Sequence, residues 1–244
     1  MGFSEVEGHS RLVMLALIPK IRHYGLTPRS CYIETPLITN DWELYPDLHR
    51  ISLSEAIDSL REAGIEYFTM DYIPPGARGD GDDFYRRTAD RMNAAAEMCH
   101  KAGLKFAYRN HAFEFAGRSG LRPIDIFRER LDPKLVGLEV DVFWASVAGV
   151  DPVEFLKTWK SRVPMLHLQD RAKGEGPAGS GAAQFSETIG QGVFTEPGAG
   201  VLNFPAILKA ASTAGVEYYF VDRDQLSGDP LESLRRSIDY LKTI

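Results

Sequence analysis

Cysteine is scarce in this sequence, which has only two in 244 residues. The spacing of Cys31 and Cys99 matches no metal-binding or disulfide pattern, which excludes a disulfide-stapled scaffold and a cysteine-ligated zinc site. We interpret both as buried free thiols of a protein that works in a reducing compartment. The sequence therefore predicts a cytoplasmic location.

Long apolar runs and basic clusters are also missing. The longest apolar stretch, Leu12 to Pro19, is too short to span a bilayer and lacks the context of a signal peptide. The 28 Lys and Arg residues are outnumbered by 34 Asp and Glu residues, for a net charge of −6, and no Lys/Arg-rich run occurs. An acidic surface repels phosphate backbones. We therefore expect a soluble protein that binds neither membranes nor nucleic acid.

A glycine-rich phosphate loop after an early strand is absent as well, which argues against an open dinucleotide-binding sheet. What the chain has instead is an alternation of strand and helix patterns repeated seven times, with no change of composition that would mark a second domain. Such alternation predicts a parallel sheet. We expect one domain over residues 1–244, an α/β barrel of the (β/α)₈ TIM type. Residues 35–50 are expected to be loop, a capping box at Ser52 and Glu55 to begin the following helix, and Gly103 to end a later one.

The stretch from Val136 to Arg171 is the clearest such unit, and its pattern predicts a strand, a loop, a helix capped by Asp151, and a second strand. By strand alternation Glu139 and Asp141 share one face, and Asp141 stands at the strand's carboxyl end. His167 lies near the end of the next strand. Because a helix between two strands implies parallel strands, Asp141 and His167 are expected to emerge on the same edge of the sheet.

Polar side chains end all seven predicted strands, and a TIM barrel builds its active site from such ends. Taken singly, a strand-end Asp is usually a turn former or a helix cap, and a His in an apolar strand is usually a core residue. Carboxylates gathered with imidazoles suit one divalent ion such as Mn²⁺, Mg²⁺, Co²⁺ or Zn²⁺. The seven strand-end residues are Glu7, Glu34, Asp71, His111, Asp141, His167 and Asp222.

The segments AYRNHAFEF, VGLEVDVFW, AGVDPVEFL, MLHLQD and AGVEYYFVDRDQ resemble the sugar phosphate isomerase/epimerase superfamily, the xylose isomerase-like TIM barrels that include apurinic endonuclease-like members. The resemblance covers essentially the whole chain. It implies one divalent metal ion held by a Glu, Asp, His and acidic residue from successive strand ends. Carried over by position, the metal ligands are Glu114, Asp141, His167 and Asp222.

The resemblance also implies catalytic and substrate-binding residues. His111 is the candidate acid/base, with Arg109 and Glu114 beside it as further catalytic candidates. The substrate-binding candidates are Asn110, Trp144, Asp170 and Arg171.

Three positions depart from the superfamily's pattern. Arg109 stands where the superfamily has His, Gln169 where it has Lys, and Asp222 where it has Glu. Arg109 can either grip a carboxylate or phosphate of the substrate or pair with Glu114 or Asp141.

These features predict an enzyme that removes a proton next to the carbonyl of a small sugar through an enediolate. Isomerisation or epimerisation, with the sugar phosphorylated or not, is the first reading. A lyase or hydratase of 3-keto-sugars starts with the same proton loss, and a barrel that has lost catalysis and serves as a partner subunit is a third possibility. Endonuclease activity is set aside, because it needs more His residues and a basic groove.

Two expectations concern chain segments. The Gly-, Ala- and Ser-rich stretch from Arg171 to Gly200 is either a lid over the barrel mouth or a surface insertion. Seven strand ends where a barrel needs eight suggest that the first strand is lacking, so that residues 1–7 pair on only one side, with the strand that ends at Glu34. Such an open edge offers a binding surface for a second copy or a partner chain.

Overall fold

The computed structural model describes residues 1–79, 81–117, 121–174, 193–222 and 228–244. These residues form two compact units. The N-terminal unit comprises Ser4–Arg109 and Arg118–Gly137, and the C-terminal unit comprises Met1–Phe3, Asn110–Gly117 and Leu138–Ile244, each in its described part.

The N-terminal unit carries four strands that are parallel and adjacent in chain order. The strands are β1 (Glu5–Gly8), β2 (Thr27–Tyr32), β3 (Tyr67–Met70) and β4 (Lys105–Arg109). The helices are α1 (Arg11–His23), α2 (Pro36–Thr39), α3 (Leu53–Glu62), α4 (Asp82–Ala102) and α5 (Pro123–Arg130). As expected, β1 pairs with β2.

Local sequence signals fix the ends of these helices. Ser52 accepts the N–H of Glu55 through its side chain, and the Glu55 carboxylate accepts the N–H of Ser52, so α3 begins at a capping box. Helix α4 ends at Gly103, whose φ of 84° lies in the left-handed region that glycine adopts without steric cost. Both ends were predicted from the sequence.

The prediction that residues 35–50 form only loop was wrong. Pro36 opens the short helix α2, and Asn40 ends it with a left-handed φ of 62°. A single 3-10 turn, Trp42–Leu44, follows. Thr35 Oγ1 donates to the backbone oxygen of Tyr72 at 2.7 Å, so a contact remote in sequence holds this segment.

The C-terminal unit carries three further strands that are parallel and adjacent, β5, β6 and β9, together with a two-stranded antiparallel ribbon, β7 and β8. The strands are β5 (Val136–Asp141), β6 (Met165–Leu168), β7 (Asp170–Arg171), β8 (Phe194–Thr195) and β9 (Tyr218–Val221). The helices are α6 (Val142–Val147), α7 (Pro152–Thr158), α8 (Phe204–Ala214) and α9 (Pro230–Leu241). The first two residues of β5 belong to the N-terminal unit.

Helix α6 was missed, because residues 142–150 were expected to be loop. Asp141 caps this helix by accepting the N–H of Trp144 at 3.0 Å. All six residues of α6 are buried, so the segment lacks the alternation of polar and apolar positions that reveals a surface helix. The predicted cap of α7 at Asp151 was correct.

In the described residues, seven parallel strands alternate with helices, which confirms the predicted α/β fold class. Most of the stretch predicted to be a lid, residues 175–192, lies outside the described residues. Its flanks form the β7–β8 ribbon. In the described part of the chain, no helix combines the length and apolarity needed to cross a membrane.

Both cysteines are free and fully buried, as predicted. Burial raises the pKa of the Cys31 thiol to about 12, and the nearby carboxylates of Glu7 and Glu34 add to the effect. Burial likewise raises the pKa of the Cys99 thiol to about 12.

These thiols are expected to be unreactive in the folded protein. The thiolate is the nucleophile, and at pH 8 a thiol of pKa about 12 is ionised to only about one part in 10⁴. Native protein should react with Ellman's reagent at least ~10²-fold more slowly than protein in guanidinium chloride, which should release two equivalents of the coloured product. A rapid native reaction of either thiol would contradict this.

Candidate active site

The imidazole of His167 lies among three carboxylates. Its Nδ1 atom is 3.3 Å from Asp222 Oδ2 and 3.9 Å from Asp141 Oδ2. Its Nε2 atom is 3.4 Å from Glu139 Oε1. We call these four residues the His167 cluster.

Strand register brings the cluster together. Asp141, the last residue of β5, is the register partner of His167 on β6. Glu139 precedes Asp141 by two residues and therefore lies on the same face of β5. Asp222 directly follows β9, and its N–H donates to the backbone oxygen of Leu168 at 3.3 Å. The predicted meeting of Asp141 and His167 is thus explained by parallel pairing.

Asp141 is fixed from two sides. Its Oδ1 atom accepts the N–H of Trp144, which leaves Oδ2 directed toward His167. Its backbone N–H donates to Asn110 Oδ1 at 3.0 Å, and its backbone oxygen accepts from Asn110 Nδ2 at 3.3 Å. This reciprocal pair gives Asn110 a positioning role, and its predicted contact with substrate stays a prediction.

His111 directly follows Asn110, the residue that is hydrogen-bonded to the backbone of Asp141. Its backbone N–H donates to Glu114 Oε2 at 2.9 Å, and its ring centroid is 5.4 Å from that of Trp144. Trp144 packs in turn against Phe143 and Phe194. The imidazole of His111 is therefore held against an aromatic wall and is almost excluded from water, at 8% exposure.

Because the His167 cluster is largely buried, its negative charge carries a large cost in solvation free energy. Glu139 and Asp141 are fully buried, and the Asp222 side chain is 32% exposed. Taking a carboxylate out of water costs several kcal/mol unless an opposite charge or hydrogen bonds compensate it. Even a protonated imidazole offers one positive charge to three negative ones. Two carboxylates, Asp141 and Asp222, with the imidazole nitrogen that lies nearest to them, fit a divalent ion such as Mn²⁺, Mg²⁺, Co²⁺ or Zn²⁺.

Asp170 has a different environment. Its two carboxylate oxygens accept five backbone N–H groups at 2.8 to 3.1 Å, and the side chain is fully buried. The donors are Arg171, Gly198, Gly200, Val201 and Leu202. A Cβ atom at Gly200 would lie 2.1 Å from the Arg171 backbone oxygen, so only glycine fits there. Asp170 thus organises the turn that leads into α8.

Arg109 belongs to the N-terminal unit, where Asp71 is its partner. The Nη1 atom lies 3.0 Å from Asp71 Oδ1, and the guanidinium carbon is 5.6 Å from the centroid of the Tyr32 ring. The Arg109 side chain is only 3% exposed. Asp71 was not among the partners predicted for Arg109, which were Glu114 and Asp141.

Two other predicted residues have contacts that do not decide their roles. Glu114 is fully buried and receives the His111 N–H, and Arg171 donates through Nε to Ser146 Oγ at 3.3 Å. Metal binding by Glu114 and substrate binding by Trp144, Asp170 and Arg171 stay predictions. Glu139 was not predicted as a site residue, although its charge inside a β-rich run and its place on the face of Asp141 could have revealed it.

The sequence matches the family described as xylose isomerase-like TIM barrel over residues 16–244. The chain belongs to this family. The xylose isomerase-like assignment confirms the resemblance seen in the strand-end motifs.

Curated relatives of this xylose isomerase-like chain are named inosose dehydratase. The protein from Geobacillus thermodenitrificans is 27% identical over 157 residues, which are 63% of this chain and 52% of the relative. The protein from Mesomycoplasma hyopneumoniae is 26% identical over 165 residues, or 66% of this chain and 54% of the relative. The chain spans about half the length of the curated relatives it matches.

Solved structures share the fold. A sugar phosphate isomerase/epimerase from Parabacteroides distasonis superposes with a TM-score of 0.74 and 20% identity, and the match covers 100% of this chain and 88% of the other. At this level of identity the likeness concerns the fold alone.

Replacing Asp170 by Asn should destabilise the protein. The amide puts a donor where a carboxylate oxygen now accepts N–H groups, so at least two of the five backbone N–H groups lose their partner. We expect the free energy of unfolding in urea to fall by about 2–4 kcal/mol. Asp151→Asn is the matched control, because Asp151 is an exposed N-cap and Asn caps helices equally well. Equal stability of the two variants would contradict the role given to Asp170.

Proposed function

We propose that this chain is a metal-dependent enzyme that removes the proton next to the carbonyl of a small polyhydroxylated ketone. The observation that carries the proposal is the His167 cluster, in which three carboxylates lie within 3.3 to 3.9 Å of one buried imidazole. Such a concentration of negative charge is costly in an apolar interior unless a cation is bound. Asp141, His167 and Asp222 would hold the ion.

A bound divalent ion would polarise the carbonyl oxygen and stabilise the enediolate that proton loss creates. His111 is the group proposed to take the proton. Imidazole is the side chain that enzymes use most often for this purpose, and His111 is held by Glu114 and Trp144 next to the residue that clamps Asp141. The aromatic wall beside it limits access of water, which protects a reactive intermediate.

Loss of water is the proposed fate of the enediolate. The support is the name of the curated relatives, inosose dehydratase, shared by the two matches described above. In this reaction the electrons of the broken C–H bond form a new double bond, and the hydroxyl group on the next carbon leaves and takes up a proton as water. Epimerisation, in which the proton returns to the same carbon from the other side, is the second candidate, which the sequence motifs placed first.

An uncharged substrate is proposed over a phosphorylated one. Arg109 is the cation that the sequence offered for a phosphate or carboxylate, but the structure pairs it with Asp71 and stacks it on Tyr32. Its charge is therefore compensated before any ligand arrives. A keto-polyol offers hydroxyl groups, which need no net charge in the binding site.

Metal binding is the first test. Purified protein should contain or take up one equivalent of Mn²⁺, Co²⁺ or Zn²⁺, and a metal concentration of 100 times the dissociation constant should stabilise it by about 2.7 kcal/mol. His167→Gln should lose this stabilisation, and EDTA should reverse it in the unchanged protein. Glu196→Gln is the control, because Glu196 is buried like the cluster but pairs with Arg236. If neither metal nor EDTA changes the stability of the protein, the His167 cluster is a network of ion pairs without a metal.

Solvent exchange is the second test. In D₂O, a true substrate should lose the hydrogen next to its carbonyl, which deuterium replaces on epimerisation and which is not replaced on elimination, and His111→Ala should slow this loss by roughly 10²-fold or more. His49→Ala, which removes an exposed imidazole, should leave the rate unchanged. The panel should contain inososes, ketohexoses, their phosphates and 3-keto-glucosides. A product that is lighter by one molecule of water would indicate a dehydratase. A product with an unchanged carbon skeleton and no loss of water would indicate an epimerase, and no reaction with any compound of the panel would indicate a barrel without catalysis.

A further inference from the structure

The two ring nitrogens of His167 face different partners. Nδ1 faces Asp222 at 3.3 Å and Asp141 at 3.9 Å, the two carboxylates at the strand ends. Nε2 lies 3.4 Å from Glu139 Oε1. Each ring nitrogen therefore has a different nearest carboxylate, the buried Glu139 at Nε2 and the two proposed metal ligands at Nδ1.

A neutral imidazole has one nitrogen with a lone pair and one with a proton. A metal ion binds the lone pair, and a metal-bound His almost always donates its other N–H to a carboxylate or a carbonyl oxygen. On the Nδ1 side stand the carboxylates that would share an ion with His167. Near Nε2 lies the carboxylate of Glu139, which can accept a hydrogen bond from a protonated ring nitrogen.

We infer that Glu139 is a positioning residue that accepts the Nε2–H of His167 and thereby directs the Nδ1 lone pair toward the metal. This inference rests on the proposed metal site. Glu139 precedes Asp141 by two residues, so it lies about 6.6 Å further from the strand end. It is fully buried. That depth suits a group that orients a ligand and does not touch the substrate.

The negative charge of Glu139 has a second effect. A carboxylate that accepts the Nε2–H raises the basicity of Nδ1 and so strengthens its bond to a cation. The cluster would then use its carboxylates in two ways, with Asp141 and Asp222 on the ion and Glu139 behind the imidazole. Sequence position does not distinguish these uses, since Glu139 and Asp141 share one face of β5.

The affinity test compares Glu139→Gln with the unchanged protein. Gln keeps the size of Glu but loses the charge, so the dissociation constant for Mn²⁺ or Zn²⁺, measured by calorimetric titration, should rise by about 10- to 100-fold. Glu196→Gln, a buried carboxylate variant in the same unit, should change it by less than about 2-fold. Unchanged affinity in Glu139→Gln would overturn the inference.

Nitrogen NMR measures the tautomer of His167, which would not change if Glu139 had only a structural role. With ¹⁵N-labelled His and bound Zn²⁺ or Cd²⁺, the His167 signals, assigned by their loss in His167→Gln, should show metal on Nδ1 and a proton on Nε2. In Glu139→Gln without metal, the population of the Nε2–H tautomer should fall. The measurement on the metal-bound, unchanged protein does not depend on Glu139→Gln, so it decides the matter even if that variant fails to fold.

The outcomes separate the inference from the proposed function. Metal on Nε2 would make Glu139 a fellow ligand and overturn the inference, while the metal enzyme would stand. Absence of any metal binding would overturn both. Metal on Nδ1 with silence across the substrate panel would support the inference and refute the proposed reaction.

Discussion

The C-terminal unit buries several carboxylates, and its structure depends on how the cost of removing them from water is compensated. Hydrogen bonds from backbone N–H groups provide part of that compensation. Asp170 gives both oxygens to five backbone N–H groups and so serves the turn around it. Asp141 gives one oxygen to the N–H of Trp144 and directs the other toward His167. The number of backbone donors on a buried carboxylate thus separates a residue that holds the chain from one that can bind a ligand. Helix α6, unpredicted, supplies the donor that aims Asp141.

The secondary-structure elements and part of the His167 cluster can be predicted from local sequence rules, whereas the ion-pair partner of a given residue cannot. The Ser52 capping box, the glycine that ends α4, and the meeting of Asp141 with His167 were all predicted, because capping and strand alternation act within a few residues. Glu139 was missed because a residue inside a strand reads as core, even though a charge there needs a partner. The pairing of Arg109 with Asp71 joins residues of two different strands, and several carboxylates in the sequence were equally plausible partners.

The departures from the superfamily's pattern leave the cluster intact. Asp222 is one methylene shorter than the usual Glu, yet its Oδ2 atom reaches His167 Nδ1 at 3.3 Å. Gln169, two residues after His167 in the chain, is fully buried and adds no charge to the cluster. Arg109 adds a charge, which Asp71 balances within the N-terminal unit. The substitutions therefore change which groups can exchange protons more than they change which groups can hold a cation.

That change bears on the choice between elimination and epimerisation. Inverting a carbon needs one group to take the proton and a second, on the opposite face, to return it. At positions 109 and 169 a His and a Lys of the superfamily's pattern are replaced by an always-protonated guanidinium and an amide, neither of which exchanges protons near neutral pH. An elimination can use a single imidazole, which takes the proton from carbon and gives it to the departing hydroxyl group, so its proton balance closes on one side chain. Fewer exchangeable groups thus weaken a two-base epimerase more than a dehydratase, for which the proposed base His111 would be sufficient.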